Sequence, residues 1–96
     1  MESDAIRDNT DRHRYEVTID GHLAHADYRV EGDVITFTHT IVPPALEGRG
    51  IASGLIRHGL SEARARGLRV VPQCPFVAAY IRKHPEWADL LAAPLD

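Results

Sequence analysis

From Tyr15 onward the chain alternates apolar and polar residues with a period of two. Tyr15, Val17 and Ile19 fall on one side, and Glu16, Thr18 and Asp20 on the other. Successive side chains of a β-strand point to opposite faces, so the pattern predicts a half-buried strand. Asp20-Gly21 is a hairpin signal, and the run Leu23 to Val30 then places Ala24, Ala26, Tyr28 and Val30 together as a second strand. After a turn at Glu31-Gly32-Asp33, a third strand is expected over Val34 to Val42, with Ile35, Phe37, His39 and Ile41 opposite Thr36, Thr38 and Thr40. It stops at Pro43-Pro44, which have no N–H to give to a ladder. The threonine side is β-forming but weakly apolar, so that face of the sheet is expected to be thinly covered.

After residue 50 the period changes. Ile51, Leu55, Ile56, Leu60 and Ala63 recur at helical spacing, while Arg57, His58, Glu62, Arg64 and Arg66 occupy mostly other positions. This predicts an amphipathic helix of about 16 residues, roughly 24 Å long, closed by basic residues and Gly67. Leu68-Arg69-Val70-Val71-Pro72 reads as a short buried strand that completes a β-helix-β crossover, which makes it the parallel neighbour of Val34–Val42. Cys74 and Pro75 mark the start of a second helix, Pro75 to Lys83, ended at His84-Pro85, and Trp87 to Leu91 suggest one more docked turn. Residues 1–13 are polar apart from Ile6 and read as a loose tail, which leaves 14–96 as a single domain. The fold class is α/β in its α+β form: a mixed sheet of antiparallel N-terminal strands plus the crossover, with two main helices on one face.

Composition narrows the function classes. In 96 residues, 44% hydrophobic and 26% charged, there is room for one ordinary globular core. No apolar run approaches the ~20 residues that cross a bilayer. The acidic start, Met1-Glu2-Ser3-Asp4, argues against a secretory or mitochondrial leader, so a cytoplasmic location is expected. A net charge of −3 gives no electrostatic reason for a nucleic-acid partner. The single Cys74 forms no internal disulfide, and with dispersed histidines it makes no zinc spacing, so no metal is expected.

The strongest chemical signal is Glu47-Gly48-Arg49-Gly50-Ile51-Ala52-Ser53, a glycine-rich turn between a strand and a helix. Such a turn brings unpaired backbone N–H groups and the positive end of the helix dipole to one point, which attracts phosphate. Gly48 and Gly50 present no side chain to hold a ligand's oxygens away, and Arg49 and Ser53 can add contacts. The alternative is a plain tight turn before a helix.

The stretch from His39 to Leu55 resembles the acetyl-CoA-binding segment of the GCN5-related N-acetyltransferases, whose signature is Arg/Gln-x-x-Gly-x-Gly/Ala. Gly50 and Ala52 match its last two fixed positions. Glu47 stands where Arg or Gln is usual, a departure that leaves the backbone cradle untouched. A small subfamily carries His-Thr before the turn, then Cys-Pro-Phe/Tyr and His-Pro-Glu after it. Here these are His39-Thr40, Cys74-Pro75-Phe76 and His84-Pro85-Glu86, a likeness covering about residues 14–91. The subfamily lacks the N-terminal helices of larger relatives, in keeping with a thinly covered sheet face.

The resemblance implies acetyl-CoA as ligand, its pyrophosphate on residues 47–53, and its pantetheine arm between the splayed parallel strands, paired to backbone near Ile41 and Val42. Pro72 removes a ladder donor where that gap is needed; the alternative is a proline tolerated on an edge strand. A helix dipole stabilises the thiolate of a cysteine at its N-terminus, so Cys74 is a candidate nucleophile, with pocket lining or an inert buried side chain as alternatives. Tyr80 is implied as the acid that protonates the departing CoA thiolate, against a core tyrosine with a wet hydroxyl. His39 is either a core histidine, as its shared face with Ile35 and Phe37 indicates, or a base for the amine. His84 reads as a helix C-terminal cation, and His22 and His25 as surface residues. The expected activity is acetyl transfer to an unidentified amine. The alternatives are an acyl-CoA-binding module without transfer and a protein that self-acetylates at Cys74. The thinly covered sheet face is also a candidate surface for a second copy of the chain.

Overall fold

The computed structural model describes residues 6–95. Five strands form one mixed sheet in chain order: β1 (Arg7–Asn9), β2 (Arg14–Ile19), β3 (His22–Glu31), β4 (Val34–Ile41) and β5 (Arg69–Pro72). The first four pair antiparallel and β5 runs parallel to β4, as a crossover through helix α1 (Ile51–Ala65) demands. Helix α2 (Pro75–Lys83) and two 3₁₀ turns, Pro44–Leu46 and Pro85–Leu90, complete the fold. No helix among the described residues is long and apolar enough to cross a membrane.

The core lies between the sheet and α1. Leu55, Ile56, Gly59, Leu60 and Ala63 of the helix are buried, and the sheet answers with fully buried Tyr15, Ala24, Ala26, Ile35 and Phe37. The approach is closest at Gly59, where an added Cβ would lie 2.9 Å from Phe37 Cε1 and 3.2 Å from Tyr15 Cε2. Helix α2 buries Val77, Tyr80 and Ile81 beside α1.

Part of the stretch expected to be a loose tail is a strand. The first five residues of that stretch lie outside the described ones, but Arg7–Asn9 add a strand to the edge of β2, and Ile6 packs against the core. Side-chain chemistry holds this strand. Arg7 Nη2 and Asn9 Nδ2 donate to Glu16 Oε2 at 3.0 and 3.2 Å, and the Tyr28 hydroxyl donates to Asp8.

Glu16 is the hub of that edge, with Arg14 Nε donating to its other oxygen at 2.9 Å. The Arg14 hydrogen bond, opposed by burial and aided by Arg7 and Asn9, lowers the Glu16 carboxyl from 4.5 to about 2. A depressed carboxyl stabilises the fold above its ordinary value, and that contribution is lost as pH falls from 4.5 towards 2. Glu16→Gln is therefore expected to cost about 1–2 kcal/mol at neutral pH and to remove part of the acid sensitivity. Urea melts of both proteins at neutral pH and at about pH 3 check this, since the gap between them should narrow in acid.

One irregularity changes which residues share a face. Tyr28 pairs with Phe37 but Asp27 pairs with His39, so β4 carries one extra residue, Thr38, whose hydroxyl donates to the Asp27 carbonyl at 3.3 Å. A bulge of one residue reverses the alternation beyond it. Thr40 consequently joins the helix-covered face, opposite Ala26, and His39 turns to the outer face, opposite Asp27. The outer face is thus a mixed polar surface bearing His25, Asp27 and His39, while Thr36 is buried within it.

Candidate functional site

The turn ahead of α1 is anchored by Leu46, which is 1% exposed. The Glu47 N–H closes the 3₁₀ turn on Pro44 O at 3.2 Å, and the chain then passes through Gly48 at φ 83° and Gly50 at φ 75°. Residues with a Cβ pay about 1–2 kcal/mol for such left-handed conformations. The Cβ positions of both glycines are open, with nothing within 4 Å. Gly54 N bonds Gly50 O at 3.0 Å as the first link of α1, so the amides of Ile51, Ala52 and Ser53 have no acceptor inside the helix. No side chain caps this end and no acidic residue lies in its first turn. The result is a positive, unobstructed group of donors facing a cleft of about 230 Å³ lined by Val42, Leu46, Gly48, Gly50, Ser53 and Phe76. Arg49, instead of turning into the cleft, pairs with Asp20 of the first hairpin at 3.2 Å. Both side chains are well exposed, and such pairs are weak enough to exchange partners.

The parallel pairing of β4 with β5 ends at Phe37 and Pro72. The chain bends there, Gln73 N donating to Val71 O at 3.1 Å, and Cys74 N caps the ladder on Phe37 O at 2.9 Å. Beyond that point β4 continues to Ile41 with a partner strand on its β3 side alone. Its other edge opens beside the cleft, next to Val42. Pro72 is thus the last paired residue, a place where its missing N–H costs no ladder bond.

Cys74 is 6% exposed at the start of α2, and its Sγ lies 3.4 Å from Thr40 Oγ1. The bulge makes this contact, because unbroken alternation would have put Thr40 on the outer face. For the same reason the sequence-based placement of His39 in the core fails: it is exposed on the outer face. Tyr80 is 9% exposed and stacks on His84 at 4.3 Å between ring centroids. It lines a second cleft of about 280 Å³ with Ala79, Lys83 and His84, and Ser53 and Phe76 line both clefts. The glycine turn, Ser53 and Val42 thus border the first cleft and Tyr80 its neighbour, Cys74 sits at the inner end of the opened β4 edge, and His39 stands across the sheet from them. His25, read from sequence as a surface residue, is only 16% exposed in its side chain and hydrogen-bonds Asp27. Their i, i+2 spacing on a strand was the available signal.

A larger depression of about 560 Å³, lined by Arg69, Ile81, Pro85, Leu91 and Pro94 among others, lies at the far end of α2 and is lined by none of the candidate catalytic or cofactor-binding residues. The uncapped backbone amides of the glycine turn converge instead on the first of the smaller clefts.

Comparison with known proteins bears on the family and the fold. A family model described as GCN5-related N-acetyl-transferase matches residues 14–90. Among solved structures, an NMR structure of a GCN5-like protein from Staphylococcus aureus superposes with a TM-score of 0.76 at 24% identity, covering 100% of this chain and 94% of that one. At that identity the likeness is one of fold.

Proposed function

The chain belongs to the GCN5-related N-acetyltransferase family, and on that premise we propose that it transfers the acetyl group of acetyl-CoA to an amine. The observation that carries this reading is the uncapped glycine cradle of α1 lying beside a β4 edge that β5 leaves unpaired. The cradle fits a diphosphate, since its donors are free and the space over Gly48 and Gly50 is open. In this reading the amides of Gly48 to Ser53 hold the pyrophosphate, with Glu47 and Arg49 at its rim. Backbone groups near Ile41 and Val42 pair with the pantetheine amides, which directs the acetyl end towards Thr40 and Cys74.

Cys74 lines the thioester pocket, and Tyr80, in the neighbouring cleft, returns a proton to the departing thiolate. Titrating acetyl-CoA into labelled protein should shift the amide signals of Gly48 through Ser53, and adding amines, peptides or polyamines should release CoA above background. Tyr80→Phe is expected to lower kcat about 10²-fold with little change in acetyl-CoA affinity. Unmoved amide signals would count against the cradle, and a fully active Tyr80→Phe against the acid role.

The contact of the Cys74 thiol with Thr40 supports a second reading, in which the thiol first takes the acetyl group as a thioester and releases CoA. Intact-mass measurement separates the two. An added acetyl group on wild type, absent from Cys74→Ala, favours the covalent route.

A further inference from the structure

The outer face of the sheet carries a cluster of ionisable groups that the cradle and cleft leave unused. His25 Nδ1 lies 2.6 Å from Asp27 Oδ1, with the side chains 16% and 32% exposed. A carboxylate only accepts hydrogen bonds, so Nδ1 carries the proton here, and Nε2 of the neutral imidazole keeps a free lone pair. Facing the pair across β2 are Glu16, opposite His25, and Arg14, opposite Asp27. Facing it across β4 are Ile41, opposite His25, and His39, opposite Asp27. Glu16 is already held by Arg7, Asn9 and Arg14, which leaves Asp27 as the carboxylate that orients His25.

The position of the pair gives it a use. Ile41 ends the stretch of β4 that β5 leaves unpaired, and His39 precedes Thr40, which touches Cys74. The pair therefore sits one strand in from the opening, on the side of the sheet away from both helices. On that side His39 and Ile41 are exposed to solvent.

We propose that His25, oriented by Asp27, is the base that deprotonates the amine, and that the acceptor reaches the thioester from the outer face. This rests on the acetyl-transfer reading above. An ammonium group gives one proton to His25 Nε2. The freed nitrogen pair forms the C–N bond to the acetyl carbon, and the C–S bond breaks with its pair on the CoA sulfur. The nitrogen's remaining excess proton neutralises that thiolate by way of Tyr80 or water, and His25 returns its proton to solvent. The products are an N-acetyl amine, the CoA thiol and one proton.

The test uses the full chain, acetyl-CoA and the best amine of the panel turned over by wild type, with kcat/KM measured against pH. His25→Gln is expected to lower kcat/KM about 10²-fold and to flatten the acid limb of the profile, while acetyl-CoA still shifts the amides of Gly48 to Ser53. Asp27→Asn should lower kcat about 10-fold with KM unchanged and the acetyl-CoA shifts intact, because the imidazole loses the carboxylate that fixes its tautomer. His22→Gln, exposed at the start of β3, should change neither. An acid limb untouched by His25→Gln, or abolished by His39→Gln alone, overturns the inference and leaves acetyl transfer standing. Wild type that binds acetyl-CoA yet turns over no amine overturns both. Should His25→Gln fail to fold, the loss of kcat at unchanged KM in Asp27→Asn decides the matter, and a fully active Asp27→Asn overturns the inference.

Discussion

Gly59→Leu is expected to lower the melting temperature by roughly 15–20 °C, the result of about 3 kcal/mol of overpacking in a domain of this size. Even the first added carbon meets Phe37 Cε1 at 2.9 Å and Cζ at 3.0 Å, and both belong to a ring with no room to retreat because Phe37 is fully buried. Leucine adds three more carbons in the same direction. Gly59→Ala should be far milder, since the helix gains about 1 kcal/mol of propensity while one methyl pushes on the ring. Combining Gly59→Leu with Phe37→Leu removes the two ring atoms nearest the new side chain. Thermal melts of the single and double variants should therefore show a favourable coupling. A Gly59→Leu protein as stable as wild type would mean that the helix does not lie this close to the sheet.

Gly50→Val is expected to weaken acetyl-CoA binding at least 100-fold, about 2.7 kcal/mol, while reducing stability by only about 1–2 kcal/mol. The two effects have different origins. Stability falls because Gly50 sits at φ 75°, a conformation that a β-branched residue strongly resists. Binding falls because the side chain enters the open space over the amides of Ile51 to Ser53, where a diphosphate would lie. Gly50→Asn separates the two, since asparagine tolerates the left-handed region. It should restore most of the stability and little of the affinity. Calorimetric titration and melting of the two variants provide the comparison. Gly50→Asn binding as tightly as wild type would remove the phosphate from this turn.

Much of the architecture was legible where local chemistry and tertiary structure agree. Period-two alternation marked β2 and β3, Asp20-Gly21 marked their hairpin, and α1 ends at Gly67 with φ 68° as its basic last turn suggested. Strand β1 was illegible because its three residues have no alternation, and their pairing is secured by a carboxylate on the neighbouring strand. The bulge at Thr38 was hidden for a related reason. The run Ile35-Thr36-Phe37-Thr38-His39-Thr40 alternates without a break, so nothing in its polarity reveals that one residue is spent in the middle. The β4 assignments on the near side of Thr38 therefore held, and the three beyond it, His39 and Ile41 inside and Thr40 outside, were exchanged. The proximity of Gly59 to Phe37 was equally silent, since a glycine in a helical pattern looks like a weak point until the partner across the interface is known.

That single extra residue decides which of two adjacent positions on one strand serves which compartment. Residue 40 looks inward at the thiol, and residue 39 outward at whatever approaches from solvent. Straightening the strand with Thr38 kept would trade their addresses, burying an imidazole against the thiol and stranding a hydroxyl outside, whereas deleting Thr38 would leave both where they are. Recognition of the incoming molecule can thus drift at position 39 and its outward neighbours while the chamber that receives the activated group stays as it is.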